Sequence, residues 1–159
     1  MAKYRRTKRP DRTTIDYKES YEKMEWLNAA RSSLGLGEIL KLVLMDVFPK
    51  RKKVIEEVMK DDNITLKHRA RIAYILDAID EDLMKDLGYI YDIRNKFVHN
   101  FKRKFADEIV QNLVGKLSTT KSQNVKVTKE NSFKLYARGV DECLEKICDI
   151  ENKDVEGKS

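Results

Sequence analysis

Three side chains in the middle of the sequence have the chemical types needed to act on a phosphate group. Arg94, Asn95 and His99 lie close together in the segment DEDLMKDLGYIYDIRNKFVHNF, residues 80–101. An arginine guanidinium can hold two oxygens of a phosphate or carboxylate in one plane. A histidine, with an unperturbed pKa of about 6.5, transfers protons near neutral pH. This trio therefore suits the binding of an anion and acid–base catalysis on it.

The segment that carries the trio is predicted to form one long helix, with Asp80 as its cap. Arg94 falls inside the apolar stripe of this helix, where a guanidinium needs a carboxylate, carbonyl groups or a bound phosphate. Asn95 and His99 share another face, with Asp92 one turn earlier. The stripe recurs at steps of three and four residues and comprises Leu83, Leu87, Ile90, Phe97, Val98 and Phe101.

Arg94 and His99 point in different directions on a regular helix. Five residues correspond to about 140° of rotation and about 7.5 Å of rise. One helix alone therefore aims the two side chains poorly at a single small target. Two copies of the helix meeting at a two-fold axis would bring them together, and so would a helix that ends or bends near His99.

The sequence gives little support to other chemistries. It contains no glycine-rich phosphate loop, no HExxH pair and no Cys/His spacing typical of a metal site, so neither a metal nor a cofactor is expected. His68 is expected on the solvated surface, and Cys143 and Cys148 are expected to be reduced thiols. A hydrolase with paired carboxylates stays open because acidic residues abound. A structural role also stays open for the trio: an interhelical salt bridge, a helix-ending asparagine and a capping histidine.

Composition predicts a helical domain with one core. The chain has 159 residues, 41% of them hydrophobic and 38% charged, and six glycines and two prolines leave few strand and turn signals. We expect an all-α fold, a single-domain helical bundle of about six helices over residues 15–152. Residues 153–159 are expected to fray. No apolar run approaches the length of a membrane span and no signal peptide is recognisable, so a cytoplasmic protein without a membrane segment is expected.

The positive charge is concentrated at the start of the chain. Of the net charge of +6, the first twelve residues carry +5, from six basic residues against one acidic residue. Residues 1–14 are predicted to be a disordered basic arm, which is either a solvated tail or a phosphate-binding arm. A second basic run, residues 50–53, is interpreted as a solvated corner. The candidate nucleic-acid-binding residues are Lys3, Arg5, Arg6, Lys8, Arg9, Arg12, Lys102 and Arg103.

The pattern of apolar residues and helix breakers also predicts the element boundaries. SSLGLG, residues 32–37, is predicted to separate the first two helices, because glycine disfavours the helix. Residues 118–131 are polar and are predicted to form a long loop. Helices are expected over residues 15–31, 38–48, 50–60, 65–79, 80–101, 105–117 and 132–151.

The trio and its surroundings resemble known proteins. Arg94-Asn95-x-x-x-His99 near the end of a long helix is similar to the signature of HEPN domains, in which an arginine and a polar residue precede a histidine. The stretch RARIAYILDAIDEDLMKDLGYIYDIRNKFVHNF, residues 69–101, resembles the mannitol-operon repressor (MtlR) family. With the helices near Phe105 and Phe133 in matching order, the resemblance covers about two-thirds of the chain and leaves out the first 35 residues.

The HEPN resemblance implies a helical bundle that forms a homodimer with the motif helices near the two-fold axis. HEPN ribonucleases cut RNA without a metal, and Arg94 and His99 are the positions that would inherit this role. Asn95 would orient the reacting groups. Many active members carry a tyrosine two positions after the histidine, whereas this chain has Phe101.

The mannitol-repressor resemblance implies a different function. Members of that family are described as regulators of transcription, which suggests a non-catalytic regulator that acts through RNA, DNA or a protein partner. A purely structural, dimeric interaction module needs only the fold and is the third hypothesis. The expected partners are a second copy of the chain, RNA or another nucleic acid, and a protein partner or antitoxin.

Overall fold

The computed structural model describes residues 17–61, 63–100 and 102–156, with side chains from residue 24 to residue 150. The predicted arm, residues 1–14, and Phe101 lie outside the described residues. The described part of the chain contains seven α-helices and no β-strand, so the predicted all-α fold class is confirmed. None of these helices is both long enough and apolar enough to cross a membrane.

The helices follow one another with short connections. A 3₁₀ turn, Pro49–Arg51, joins the first two. The seven α-helices are α1 Tyr17–Val47, α2 Lys52–Met59, α3 Leu66–Ile75, α4 Glu81–His99, α5 Glu108–Val114, α6 Ser118–Ser122 and α7 Ser132–Glu156.

The first helix continues through the segment that was predicted to break it. Residues 32–37 are helical, and α1 runs for 31 residues without interruption. Leu36, Leu40 and Leu44 lie at four-residue steps and are buried in the core. Their burial outweighs the helix cost of about 1 kcal/mol for each glycine in the segment. The predicted break at residues 32–37 is therefore wrong, because tertiary packing overrides local propensity.

Helix α4 is the central element of the bundle. Leu87, Ile90, Ile93 and Phe97 are fully buried along one face, and α4 contacts α1, α3, α5, α6 and α7. The cap predicted from the sequence is present, since the Asp80 carboxylate accepts a hydrogen bond from the Leu83 N–H at 2.7 Å. The helix carrying the trio is thus enclosed by its own chain along its apolar stripe.

The connection after α4 is anchored by Phe105. Its ring lies 4.9 Å from that of Phe97 and 4.8 Å from that of Tyr136, centroid to centroid. Its N–H donates to a Glu25 carboxylate oxygen at 2.8 Å, and its carbonyl accepts from the Ser132 hydroxyl. These contacts join α1, α4 and α7 just beyond the end of the trio.

Helix α3 ends earlier than the predicted 65–79 helix. It stops at Ile75, and Asp77 adopts the left-handed conformation with φ 56°. The N–H of Asp77 donates to the Tyr74 carbonyl and the N–H of Ala78 to the Ala73 carbonyl, at 3.0 and 2.9 Å. This pair of bonds is the Schellman arrangement that closes a helix C-terminus.

Two further boundaries differ from the sequence prediction. The polar stretch 118–131 is not wholly a loop, because it begins with α6, in which Thr119 and Thr120 are buried. The N–H and hydroxyl of Ser118 both donate to the carboxylate of Asp86 on α4, and the Thr119 hydroxyl donates to Glu142 on α7. These tertiary bonds hold α6 although its sequence has no apolar period. The last helix extends to Glu156, beyond the predicted end at residue 151.

Candidate active site

Arg94 lies at the edge of the α4 stripe. Ile93, one residue earlier, occupies the fully buried position, while Arg94 and Val98 are half-buried. The predicted stripe had the correct period but left out Ile93 and placed Arg94 too close to the core. A half-buried position leaves the guanidinium partly accessible to solvent or to a ligand.

Arg94 has an amide partner and no carboxylate partner. Its Nη1 donates to the Asn95 side-chain oxygen at 2.9 Å. No carboxylate among the described residues forms an ion pair with it. The interhelical salt bridge considered for this arginine is therefore not seen in the described part of the chain. A guanidinium has five N–H donors, so most of its capacity to bind an anion is unused.

Among the described residues, His99 forms no hydrogen bond with Arg94 or Asn95. It is the last residue of α4 and is exposed, and its ring makes no hydrogen bond to another described residue. Asp92, which shares its face, is engaged elsewhere because it accepts from Lys67 on α3 at 3.0 and 3.2 Å. The structure thus joins Arg94 and Asn95 by a hydrogen bond and shows no such bond from His99 to either within the described part of one subunit.

The candidate nucleic-acid residues after the trio differ in their surroundings. Lys102 is exposed, and its backbone N–H donates to the Asn100 side-chain oxygen at 3.1 Å. Arg103 is partly buried, and its Nη1 lies 3.3 Å from an oxygen of Asp107. Lys102 is therefore the more accessible of the two charges. The candidates Lys3, Arg5, Arg6, Lys8, Arg9 and Arg12 lie outside the described residues.

His68 has a role that the sequence did not suggest. It is exposed, as expected, but its Nδ1 accepts from the backbone N–H of Thr65 at 3.3 Å. The Thr65 hydroxyl in turn accepts from the backbone N–H of His68 at 3.4 Å. The two residues form a capping box at the start of α3, so His68 contributes to helix initiation.

A cavity of about 420 Å³ opens beside Arg94. Its walls come from α1, the α2–α3 connection, the first turn of α3, and α4. Arg94 and Tyr91 contribute from α4, Arg69 from α3 and Lys60 from the end of α2. A cavity of this size is in the range that binds small ligands. Sequence reasoning did not find it, because its walls come from segments far apart in the chain.

Of the cations that line this cavity, Arg69 makes the most side-chain hydrogen bonds to described residues. Its Nη1 donates to the Glu38 carboxylate at 2.6 Å and its Nη2 to the Met59 carbonyl at 2.9 Å. The hydrogen bond from Arg69, followed by that from Lys41, lowers the pKa of Glu38. A Cβ on Gly37 would lie 3.3 Å from Arg69 Nη1, so glycine gives the guanidinium room against α1.

A sequence signal for Arg69 existed. Leu66, Ala70 and Ala73 are the buried residues of α3, and Arg69 falls on the same face at helical spacing. An arginine on a buried face requires a partner, as Arg94 does. The partner, Glu38, lies 31 residues away and has no local sequence relation to Arg69.

The comparisons with known proteins identify no relative of this chain. In the described part of the chain, no group of three His, Cys, Asp or Glu side chains is placed to hold a metal ion. Neither the family models, nor the curated proteins, nor the solved structures give a significant match to the chain. The resemblance to HEPN domains and mannitol-operon repressors therefore stays a prediction from the residues quoted above.

Proposed function

We propose that this protein is a metal-independent endoribonuclease of the HEPN type. In this proposal Arg94, Asn95 and His99 form the catalytic group at a cleft between two copies of the chain. The observation that carries it is the half-buried Arg94, which is held by Asn95 and has no carboxylate partner among the described residues. Such a guanidinium is prepared to receive the oxygens of a phosphate.

The proposed reaction uses the 2′-hydroxyl of the RNA as the nucleophile. This oxygen attacks the adjacent 3′-phosphate, the bond from phosphorus to the 5′-oxygen breaks, and a 2′,3′-cyclic phosphate forms. The 2′-hydroxyl loses a proton and the leaving 5′-oxygen gains one, and His99 is the group that transfers protons. Arg94 stabilises the negative charge that develops on the phosphate oxygens, and Asn95 holds the guanidinium in position.

The proposed homodimer provides the geometry that one subunit lacks. Because the apolar stripe of α4 packs inside the subunit, the dimer has to use the half-exposed edge that carries Tyr91, Arg94, Asn95 and Val98. Pairing these edges about a two-fold axis offers a way for Arg94 of one copy and His99 of the other to approach the same phosphate. Light scattering at micromolar concentration should give the mass of a dimer, and a monomer would contradict this part of the proposal.

The decisive test is cleavage of labelled RNAs by the purified protein in EDTA. We expect products with cyclic-phosphate or 3′-phosphate ends. His99→Ala should lower the rate by about 10²-fold or more, with RNA affinity nearly unchanged. His68→Gln is the matched control, since it removes the only other histidine, keeps a side chain that can complete the capping box of α3 and should leave cleavage intact. RNA that stays intact over hours across a range of pH, or equal rates for His99→Ala and the parent, would reject catalysis.

A second candidate function is a non-catalytic regulator that binds nucleic-acid phosphates or a protein partner. The lack of a hydrogen bond between His99 and Arg94 in the described part of one subunit favours it, because an anion can bind at Arg94 without any proton transfer. In that case Arg94→Gln should weaken RNA binding in a filter-binding assay while neither protein cleaves the RNA. Arg94 and His99 would then be assigned to binding or to fastening the dimer.

A further inference from the structure

The cavity beside Arg94 has an excess of positive charge among its described lining residues. Three cations, Lys60, Arg69 and Arg94, face two carboxylates, Glu38 and Asp61. Glu38 is already paired with Arg69, and it also accepts from Lys41 on its own helix at 3.0 Å. The Asp61 carboxylate accepts from the backbone and side-chain N–H groups of Asn63 at 2.8 and 2.9 Å.

The remaining cations are therefore available to a ligand. Neither Lys60 nor Arg94 forms an ion pair with a described residue. The first turn of α3, which borders the cavity at Thr65, adds the partial positive charge of a helix N-terminus. Together these features favour an anionic ligand.

Part of the remaining cavity wall is apolar. Tyr91 presents an aromatic ring, and Leu34, Ile64 and Leu66 line the cavity with aliphatic side chains. Aromatic rings and guanidinium planes both stack on nucleobases. The cavity thus offers cations for a phosphate and a stacking surface for a base within about 420 Å³.

We infer that this cavity binds a nucleoside monophosphate unit, with the phosphate toward Arg94 and the base toward Tyr91. The unit is either a free mononucleotide or one nucleotide of an RNA chain. Arg94 belongs both to the cavity and to the proposed catalytic group, through its bond to Asn95. Binding of a free mononucleotide does not require the proposed function, whereas occupation by an RNA nucleotide rests on it.

Calorimetric titration of the full chain with AMP, GMP, CMP and UMP tests the binding. We expect at least one of them to bind at least about tenfold more tightly than adenosine or inorganic phosphate alone, because each of those lacks half of the contacts. Arg94→Gln should weaken nucleotide binding by about tenfold or more, since it removes the charged guanidinium that would hold the phosphate. Equal affinity for nucleotide and phosphate, or no heat with any of the four nucleotides, would overturn the inference.

A pair of exposed leucines on α1 provides a matched control. Leu34 lines the cavity and is 65% exposed, whereas Leu42 lies eight residues later outside the lining and is 55% exposed. Leu34→Glu places a negative charge at the rim and should weaken nucleotide binding about fivefold, while Leu42→Glu should change it less than about twofold. Because both side chains are exposed, neither change should unfold the protein. Equal effects of the two variants would place the nucleotide outside the cavity.

The same variants separate this inference from the proposed function. His99→Ala should bind the nucleotide like the parent, because His99 does not line the cavity. Absence of cleavage by the parent protein, with intact nucleotide binding, rejects the ribonuclease and keeps the cavity. Cleavage by the parent protein without nucleotide binding keeps the ribonuclease and rejects the inference about the cavity. If an RNA nucleotide occupies the cavity, Leu34→Glu should raise KM for RNA; if only a free nucleotide does, Leu34→Glu should leave KM unchanged and relieve inhibition by the mononucleotide.

Discussion

Replacement of Asp86 by alanine should destabilise the fold more than any change at the α4 surface. The Asp86 side chain is only 3% exposed, and no Lys or Arg of the described residues pairs with it. Its two oxygens accept from the N–H of Ser118, at 2.9 Å, and from the hydroxyl of the same residue. Asp86→Ala therefore leaves two donors at the start of α6 without a partner.

The magnitude follows from these two donors. Each donor that is left buried without a partner costs about 1–3 kcal/mol of folding free energy. Part of this cost is offset, because the variant no longer buries a charged carboxylate. We expect Asp86→Ala to lower the free energy of unfolding by about 2–4 kcal/mol. Asp82, one turn earlier and exposed, gives the matched control, and Asp82→Ala should cost less than about 0.5 kcal/mol.

Urea unfolding followed by circular dichroism measures both variants. The double variant Asp86→Ala/Ser118→Ala should show a coupling energy of at least about 1 kcal/mol between the two residues. A loss below about 1 kcal/mol for Asp86→Ala, or strict additivity with Ser118→Ala, would refute the idea that this carboxylate holds α6.

Two further predictions concern glycines and cysteines. Gly35→Ala should raise the free energy of unfolding by about 1 kcal/mol, because its Cβ would meet nothing within 4 Å. Gly139→Ala should lose this gain, since that Cβ would lie 2.8 Å from Cδ1 of the buried Leu117, which would have to shift; urea titrations in which both variants stabilise the protein equally would contradict the packing argument. Burial raises the pKa of the Cys143 thiol to about 12, while Cys148 is exposed. Iodoacetamide at pH 8 should therefore add one group to the native protein, on Cys148, and mass spectrometry showing equal modification of both would be inconsistent with this burial.

Features that depend on neighbouring residues were predictable from the sequence. The α4 stripe follows from spacing within a single helix, and the Asp80 cap reaches only to Leu83. The hydrogen bond between Arg94 and Asn95 joins adjacent residues but was not predicted, because helical periodicity places Asn95 with His99 on another face. The helical class of the fold follows from the same short-range patterns.

Features that depend on distant partners were not predictable. Asp86 falls on the buried face of α4, but Ser118, which makes its burial tolerable, lies 32 residues away. Arg69 and Glu38 meet across the two helices in the same way. The helix continues through residues 32–37 because the rest of the core packs against α1. Local helix propensity, which counts only the cost of each glycine, does not include this packing. The proposed approach of His99 to Arg94 across two copies of the chain belongs to the same class, because it depends on residues of another molecule.

The unbroken first helix also sets the distance between its own two ends, each of which adjoins a basic segment of the sequence. At about 1.5 Å per residue, α1 is a rod about 45 Å long. Residues 1–16 join it at Tyr17, and the exposed residues 50–53 follow its other end at Val47. A single strand with bases stacked at about 3.4 Å would need about 13 nucleotides to reach from one end of the rod to the other.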